Sequence, residues 1–116
     1  MGAELSVVIP VYDERGNLVP LYERLRGVLD DLQKEWEVLF VDDGSSDGSQ
    51  EVLREIAAKD PRVKLILLRR NFGQTAAIAA GVEHASGRVI VTMDADLQND
   101  PEDIPVSYTH LTLPTN

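Results

Sequence analysis

Cysteine is absent from the 116-residue chain. Disulfides, zinc–thiolate sites, iron–sulfur clusters and thiol nucleophiles are therefore excluded by inventory, and the absence favours the cytoplasm without fixing the compartment. The sequence also lacks an apolar run of 18 residues, and its first residues enter a predicted strand without a basic leader. Neither a membrane span nor a signal peptide is expected in this sequence.

Positive charge is scarce as well. Eleven Lys and Arg face 20 Asp and Glu, which gives a formal net charge of −9. Such a chain repels bare nucleic acid and anionic membrane surfaces unless a basic patch or a metal ion reverses the local sign. Nucleic acid is therefore not an expected partner. The one adjacent basic pair is Arg69 and Arg70.

What the sequence does contain is an alternation of β-branched runs and helical patterns. Apolar runs occupy 5–11, 38–41, 63–68 and 89–92, and helical periodicity occupies 18–32, 48–58 and 74–85. Strands that are apolar on both faces are typical of parallel sheets covered by helices on both sides. The β-α-β-α-β-α-β order predicts an α/β fold with a doubly wound, mostly parallel sheet, whose ligands bind beyond the carboxyl ends of the strands.

Two helix boundaries carry their own sequence signals. Ser46 and Asp47 are capping candidates for the second helix, and Gly87 is expected to end the third. The third helix is rich in alanine, which suits close packing against a sheet.

The C-terminal segment departs from the pattern. Asp100, Pro101 and the acids that follow read as the start of another helix. Instead comes PVSYTHLTLPTN, which has no apolar periodicity and resembles translated sequencing-adapter read-through. We therefore predict a domain half over 1–105 and a non-native tail over 106–116. The alternative is a genuine edge strand, YTHLTL.

Acidic residues follow three of the predicted strands. They are Asp13 and Glu14 after the first strand, Asp42 and Asp43 after the second, and Asp94 and Asp96 after the fourth. In parallel topology these loops converge on one edge of the sheet, although an acid in such a loop often only caps the next helix.

The spacing in MDADLQ predicts a metal site. Residues i and i+2 of an extended segment point to the same side, so Asp94 and Asp96 can face one ligand while Ala95 packs beneath. With the amide oxygen of Gln98 they form a hard-oxygen half-shell suited to Mg²⁺ or Mn²⁺. Coordination positions would remain for phosphate oxygens and water.

The usual phosphate-binding loops are missing. The first strand–helix turn reads IPVYDERGN rather than GxGxxG, and GxxxxGK[ST] occurs nowhere. A phosphate at this acidic edge would need a metal bridge, which indicates a nucleoside diphosphate held by a cation. In DDGSSDGS, a turn and a helix cap explain Gly44, Ser46 and Asp47 but not the two acids Asp42 and Asp43, for which a contact to a base or ribose is favoured.

The motifs VVIPVYDERGNL, VLFVDDGSSDGS, RRNFGQTAAIAAGVEHASG and VTMDADLQNDPEDIP together resemble the N-terminal half of family 2 glycosyltransferases with a GT-A fold. The nearest branch is similar to the polyprenyl-phosphate (dolichol- and undecaprenyl-phosphate) sugar transferases. This resemblance implies a metal-dependent, inverting transfer from a nucleoside-diphosphate sugar, UDP- or GDP-linked. It implies Mg²⁺ or Mn²⁺ on Asp94, Asp96 and Gln98, with Asp96 taken as catalytic. It also implies a nucleotide-sugar site of Pro10, Tyr12, Glu14, Val41, Asp43, Asp94, Ala95 and Asp96.

The resemblance extends to partners and place. It implies a lipid-phosphate acceptor, which is already an anion at neutral pH and so needs no strong general base. It also implies a position at the cytosolic face of a membrane, which the protein would reach through parts that are not in this sequence. Asp13 stands where relatives often have Asn, a change expected to matter little.

Other classes stay open at this point. A non-catalytic nucleotide-sugar binder fits the same motifs, whereas a receiver-type Mg²⁺-binding domain would place its acid pair after the first strand. A sugar-1-phosphate nucleotidyltransferase would need a glycine-rich basic loop there. For single residues, we expect packing for Trp36 and Phe72, a surface role for His84, and either a diphosphate contact or an ion pair for Arg69 and Arg70.

Overall fold

The computed structural model describes residues 3–95, in which four strands and three helices alternate. The elements are β1 (Leu5–Val11), α1 (Arg15–Asp31), β2 (Trp36–Asp42), α2 (Ser49–Lys59), β3 (Val63–Leu67), α3 (Gln74–His84) and β4 (Val89–Thr92). The predictions for Asp96, Gln98, Asp100 and the 106–116 tail lie outside the described residues. The predicted order of elements is confirmed.

The strands form one parallel sheet in the order β3-β2-β1-β4. β1 lies at its centre and pairs with β2 from Leu5↔Trp36 to Val11↔Asp42, and with β4 from Leu5↔Val89 to Val8↔Thr92. β2 and β3 therefore extend the sheet on one side of β1, and the chain then crosses over to place β4 on the other side. Such a reversal between β1 and β4 is the switch point at which open α/β sheets bind ligands.

Alternation along the strands divides the core into two layers. On one face Leu5, Val7, Ile9, Val38 and Phe40 pack with the buried leucines of α1 and α2, namely Leu18, Leu21, Leu25, Leu29 and Leu53. On the other face Val8, Leu39 and Val41 pack against Ala77 of α3. Helices thus cover both faces, as the doubly wound prediction requires.

α3 lies unusually close to the sheet. A Cβ on Gly81 would stand 2.3 Å from Cγ1 of Val8 and 3.1 Å from Cγ2 of Val41. The helix ends at His84 rather than at the predicted Ala85, because Ala85 adopts an extended backbone. Gly87 does not end the helix. It allows close passage of the chain over Ser6, whose Oγ would lie 2.5 Å from a Cβ at that position.

The start of α2 also differs in detail from the prediction. The helix begins at Ser49, one residue after the predicted Gly48, which has φ 94°. Asp47 precedes the N-cap rather than forming it, and its Oδ1 accepts from the backbone N–H and the hydroxyl of Ser49. The capping role expected of Ser46 is wrong, because the N-cap of the helix is Gly48 and no side chain within residues 3–95 makes a cap hydrogen bond there.

Of the two aromatic residues predicted to pack in the core, only Trp36 does so. Trp36 is buried, with the Arg62 guanidinium 3.9 Å from its ring centroid. Phe72 is 49% exposed, so the packing prediction is wrong for it. No helix within the described part, 3–95, has both the length and the apolar character to cross a bilayer.

Candidate functional site

A cavity of about 320 Å³ opens at the carboxyl ends of β1, β2 and β4, at the switch point of the sheet. Its walls come from the turn after β1, the end of β2, the loop before α3 and the residues after β4. The lining residues are Pro10, Val11, Tyr12, Glu14, Asp43, Asn71, Gly73, Gln74, Asp94 and Ala95.

Carboxylates from three separate loops meet at this cavity. Glu14 follows β1, Asp43 follows β2 and Asp94 follows β4, and all three line it. The predicted convergence at one edge is therefore confirmed for the described residues. None of the cavity's described lining residues is Lys or Arg, so an anion entering it needs a cation of its own.

The carboxylate of Asp43 is buried and accepts hydrogen bonds from the loop before α3. The residue is 3% exposed. Its Oδ1 accepts from the backbone N–H of Phe72 at 2.8 Å, and its Oδ2 accepts from Gly73 N at 2.9 Å and Asn71 Nδ2 at 3.1 Å. Asp43 therefore fixes the loop before α3 while also lining the cavity.

Gly44 makes that close junction possible. A Cβ on Gly44 would stand 2.6 Å from both the carbonyl carbon of Arg70 and the backbone nitrogen of Asn71, and its φ is +79°. Only glycine meets both conditions without strain.

Asp42, unlike Asp43, does not line the cavity, so the base or ribose contact predicted for both acids gains no support at Asp42. It is fully buried, and its Oδ2 accepts from Ser45 N at 3.0 Å and Gln50 Nε2 at 2.9 Å. Its Oδ1 has no hydrogen-bond partner in the described part of the chain. Asp42 is thus an acceptor for the turn and for α2, and the two acids of the DD pair have different surroundings.

Asp94 and Gln74 meet across the cavity wall. The Nε2 of Gln74, the first residue of α3, donates to Oδ1 of Asp94 at 3.0 Å. Ala95 is 3% exposed and packs in the core beneath, as the alternation in MDADLQ predicts.

The turn after β1 is cross-linked to the turn after β2. Asp13 has φ 52°, its N–H donates to Ser45 Oγ, and its Oδ1 accepts from Ser46 N at 2.8 Å. The N–H of Glu14 donates to Ser49 Oγ at 3.2 Å. These bonds set the backbone that carries Tyr12 and Glu14. Both Asp and Asn adopt positive φ more readily than most residues do, so the Asp at position 13 is compatible with the turn.

The predicted nucleotide-sugar residues are mostly found together. Six of them line the cavity: Pro10, Tyr12, Glu14, Asp43, Asp94 and Ala95. Val41 does not, because its side chain is fully buried between the sheet and α3. Asp96 lies outside the described residues.

Sequence reasoning missed Val11, Asn71, Gly73 and Gln74 as lining residues. The last three follow β3 and therefore reach the same edge of the sheet. The loop was not predicted to line the site because RNFGQ has no acidic side chain, and the prediction relied on acidic residues that follow strands.

The exposed pair Arg69 and Arg70 lies on the same loop, just before the lining residues. The Arg70 guanidinium stands 5.0 Å from the Phe72 ring centroid. Neither arginine has an ion-pair partner within residues 3–95, so the ion-pair alternative gains no support there. His84 is exposed near the end of α3, where its Nδ1 lies 2.9 Å from the carbonyl oxygen of Ala80.

The cavity suits a hard divalent cation in ligand type. Carboxylate oxygen is the donor that Mg²⁺ and Mn²⁺ prefer, and Asp94 presents one at the wall. The part of the chain from 3 to 95 contains no group of three or more His, Cys, Asp or Glu placed to hold a metal ion. Of the predicted metal ligands, Asp94 alone is described, and Asp96 and Gln98 follow it.

The fold and the cavity define a doubly wound α/β protein with an acid-lined cleft at the switch point of its parallel sheet and without a glycine-rich phosphate loop. The model of the family described as Glycosyl transferase family 2 matches residues 6–114, so the chain belongs to that family. This membership decides against the receiver-type and nucleotidyltransferase alternatives.

Curated relatives are similar over most of the chain. The undecaprenyl-phosphate 4-deoxy-4-formamido-L-arabinose transferase of Edwardsiella ictaluri is 51% identical over 102 residues, which cover 87% of this chain and 31% of the relative. The protein of the same name from Salmonella paratyphi A is 50% identical over 103 residues, covering 88% and 32%. The chain thus spans about a third of the length of the curated relatives it matches.

Two solved structures share the fold. The mannosyltransferase PcManGT from Pyrobaculum calidifontis, in complex with GDP-Man and Mn²⁺, superposes with a TM-score of 0.71 at 24% identity, over 94% of this chain and 32% of that one. TarS 1–349 from S. aureus, in complex with UDP-GlcNAc, gives a TM-score of 0.73 at 20% identity, over 91% and 30%. The described part of the chain therefore has the α/β fold of GT-A glycosyltransferases.

Proposed function

We propose that this chain forms the donor side of a glycosyltransferase that moves a sugar from a UDP- or GDP-sugar to a polyprenyl phosphate, with inversion and with a divalent cation. The meeting of Glu14, Asp43 and Asp94 at one cavity carries the proposal. The names of the curated relatives, which specify undecaprenyl phosphate, support the acceptor class.

Within the cavity, the residues divide between the nucleoside and the phosphates. Tyr12 is 50% exposed at the rim, where its ring is available to the base. Asp43 offers a carboxylate to an imide N–H or a hydroxyl while it anchors the loop before α3. Asp94 and Ala95, which line the same cavity, would approach the ribose and the diphosphate.

Asp94, with Asp96 and Gln98 after it, would hold Mg²⁺ or Mn²⁺. The bound ion would neutralise the leaving diphosphate as a Lewis acid. The acids of the chain make such an ion necessary, because a diphosphate would otherwise meet only negative charge at the described walls. Asp96 would be the residue on which turnover depends most.

The proposed acceptor requires no general base from this chain. A polyprenyl phosphate carries its negative charge at neutral pH, so the attacking oxygen requires no strong general base. We place the intact protein at the cytosolic face of a membrane, where such a lipid could be reached.

The test is Asp96→Ala, with Asp31→Ala as the matched control. Asp31 is an exposed acid at the end of α1. Asp96→Ala should abolish donor binding or turnover and leave the circular dichroism spectrum intact, whereas Asp31→Ala should change neither. Full activity of Asp96→Ala would contradict the metal-dependent mechanism. Donor binding without transfer in the intact protein would favour the non-catalytic binder.

A further inference from the structure

The contact between Gln74 and Asp94 joins two walls of the cavity. Gln74 begins α3, Asp94 comes two residues after the end of β4, and the amide of the first donates to the carboxylate of the second at 3.0 Å. Both residues line the cavity. Neither nucleoside binding nor metal ligation by Asp94 by itself requires this hydrogen bond.

Gln74 is itself placed by Asp43. The residue before it, Gly73, has φ +106° and donates its N–H to Asp43 Oδ2 at 2.9 Å. The neighbouring N–H of Phe72 donates to Oδ1 of the same carboxylate. A continuous path of hydrogen bonds and backbone therefore runs from the end of β2, through the start of α3, to Asp94.

A neutral amide is suited to holding a carboxylate that must bind a cation. The hydrogen bond restricts the rotamers of Asp94, so less side-chain freedom is lost when a ligand binds. An arginine or lysine in the same place would also restrict the side chain, but its positive charge would repel a divalent ion. The Gln74 amide orients the carboxylate and leaves its full charge in place.

We propose that Gln74 is a positioning residue for Asp94, holding its carboxylate in place for the divalent cation that accompanies a nucleoside diphosphate. This inference rests on the proposed function for its ligand. It assigns to Gln74 an action through Asp94 rather than a contact with the reacting atoms. Residues of this kind, which orient a metal ligand, typically change metal affinity by 10–100-fold when they are replaced.

The first experiment measures Mn²⁺ binding by counting free Mn²⁺ with electron paramagnetic resonance. The variants are Gln74→Met, which keeps the length of the side chain and removes its donor, and Thr75→Ala, an exposed neighbour on the same helical turn. Gln74→Met should weaken Mn²⁺ binding about tenfold, with no such loss in Thr75→Ala. Wild-type affinity in Gln74→Met would overturn the proposal.

A double variant separates positioning from general damage. In an Asp94→Asn background, Gln74→Met should cause no further loss of Mn²⁺ affinity, because the carboxylate that it orients is gone. A second full loss in that background would contradict action through Asp94. The thermal unfolding midpoints of the single variants should stay within a few degrees of wild type.

A ligand-free measurement distinguishes failure of this inference from failure of the proposed function. In ¹⁵N-labelled protein, the side-chain amide resonances of Gln74 should move toward the positions of a free glutamine in Asp94→Ala and stay in place in Asp31→Ala. Wild-type protein without Mn²⁺ affinity would sink the proposed function. Side-chain amide resonances of Gln74 that keep their positions in Asp94→Ala would contradict the positioning role.

Discussion

Glu37 shows how far a single buried carboxylate can depart from ordinary behaviour. It is 3% exposed, and it accepts hydrogen bonds from Lys64 Nζ, Ser6 Oγ and both the N–H and the hydroxyl of Ser86. Burial alone raises the pKa of Glu37, but these hydrogen bonds outweigh it and lower the pKa to about 2, from an ordinary 4.5. The network joins β1, β2, β3 and the segment before β4 at the amino-terminal end of the sheet.

This lowered pKa makes folding stability depend on pH in a defined window. Because the folded pKa lies below the unfolded one, the stabilisation is complete above about pH 5 and is lost as the pH falls from 4.5 toward 2. The loss amounts to about 3 kcal/mol of unfolding free energy for this group. Urea unfolding between pH 7 and pH 2.5 measures it.

Glu37→Gln isolates the contribution of this carboxylate from that of the other acids. The variant should be less stable at pH 7, and the difference from wild type should shrink as the pH falls below 4.5. A difference that stays constant across this range would show that Glu37 ionises with an ordinary pKa in the folded chain.

At the residue scale, the sequence predicts which acids meet but not what each one does. Glu14, Asp43 and Asp94 could be placed at one edge because the carboxyl ends of parallel strands share it. The three hydrogen bonds of Asp43 could not be foreseen, since their donors come from a loop 28 to 30 residues further along the chain. Local spacing carries no information about such a contact.

At the scale of elements, the packing of α3 depends on one position without a side chain. Gly81→Ala would place a Cβ 2.3 Å from Cγ1 of Val8, and the stiff, β-branched valine has little room to move. We expect a net loss of 1–3 kcal/mol, roughly the cost of overpacking a core, despite the higher helix propensity of alanine. Chemical denaturation measures the change.

Gly27 provides the matched control in α1. A Cβ there meets nothing within 4 Å, so Gly27→Ala should raise the free energy of unfolding by about 0.5–1 kcal/mol through helix propensity alone. Equal effects of the two substitutions would contradict the close approach of α3 to the sheet.

Element boundaries were predictable where the apolar run itself ends. The limits of β1 and β4 match the prediction at 5–11 and 89–92. β2 is longer than predicted, from Trp36 to Asp42, because its polar residues Glu37 and Asp42 are buried with partners. The end of α3 was misplaced because Gly87 serves the approach to Ser6 and not a helix cap.

At the scale of the whole molecule, the strand order decides the position of the site. The alternation of strands and helices is readable from the sequence, but the order β3-β2-β1-β4 is set by how the helices distribute over the two faces. That order puts the β4 end beside the β1 end and opens the cavity between them. Tyr12, Asp43 and Asp94 thereby come from distant parts of the sequence to line one space.

We propose that this acid-lined cavity accepts a nucleoside diphosphate only together with a divalent cation. The most direct test of this claim is calorimetric titration of the chain with UDP and with GDP, each in the presence of Mn²⁺ and again after EDTA. We expect one nucleotide to bind with Mn²⁺ and to lose most of its affinity with EDTA, because the described walls then offer the diphosphate no positive charge. Binding of equal strength with and without Mn²⁺ would contradict the claim.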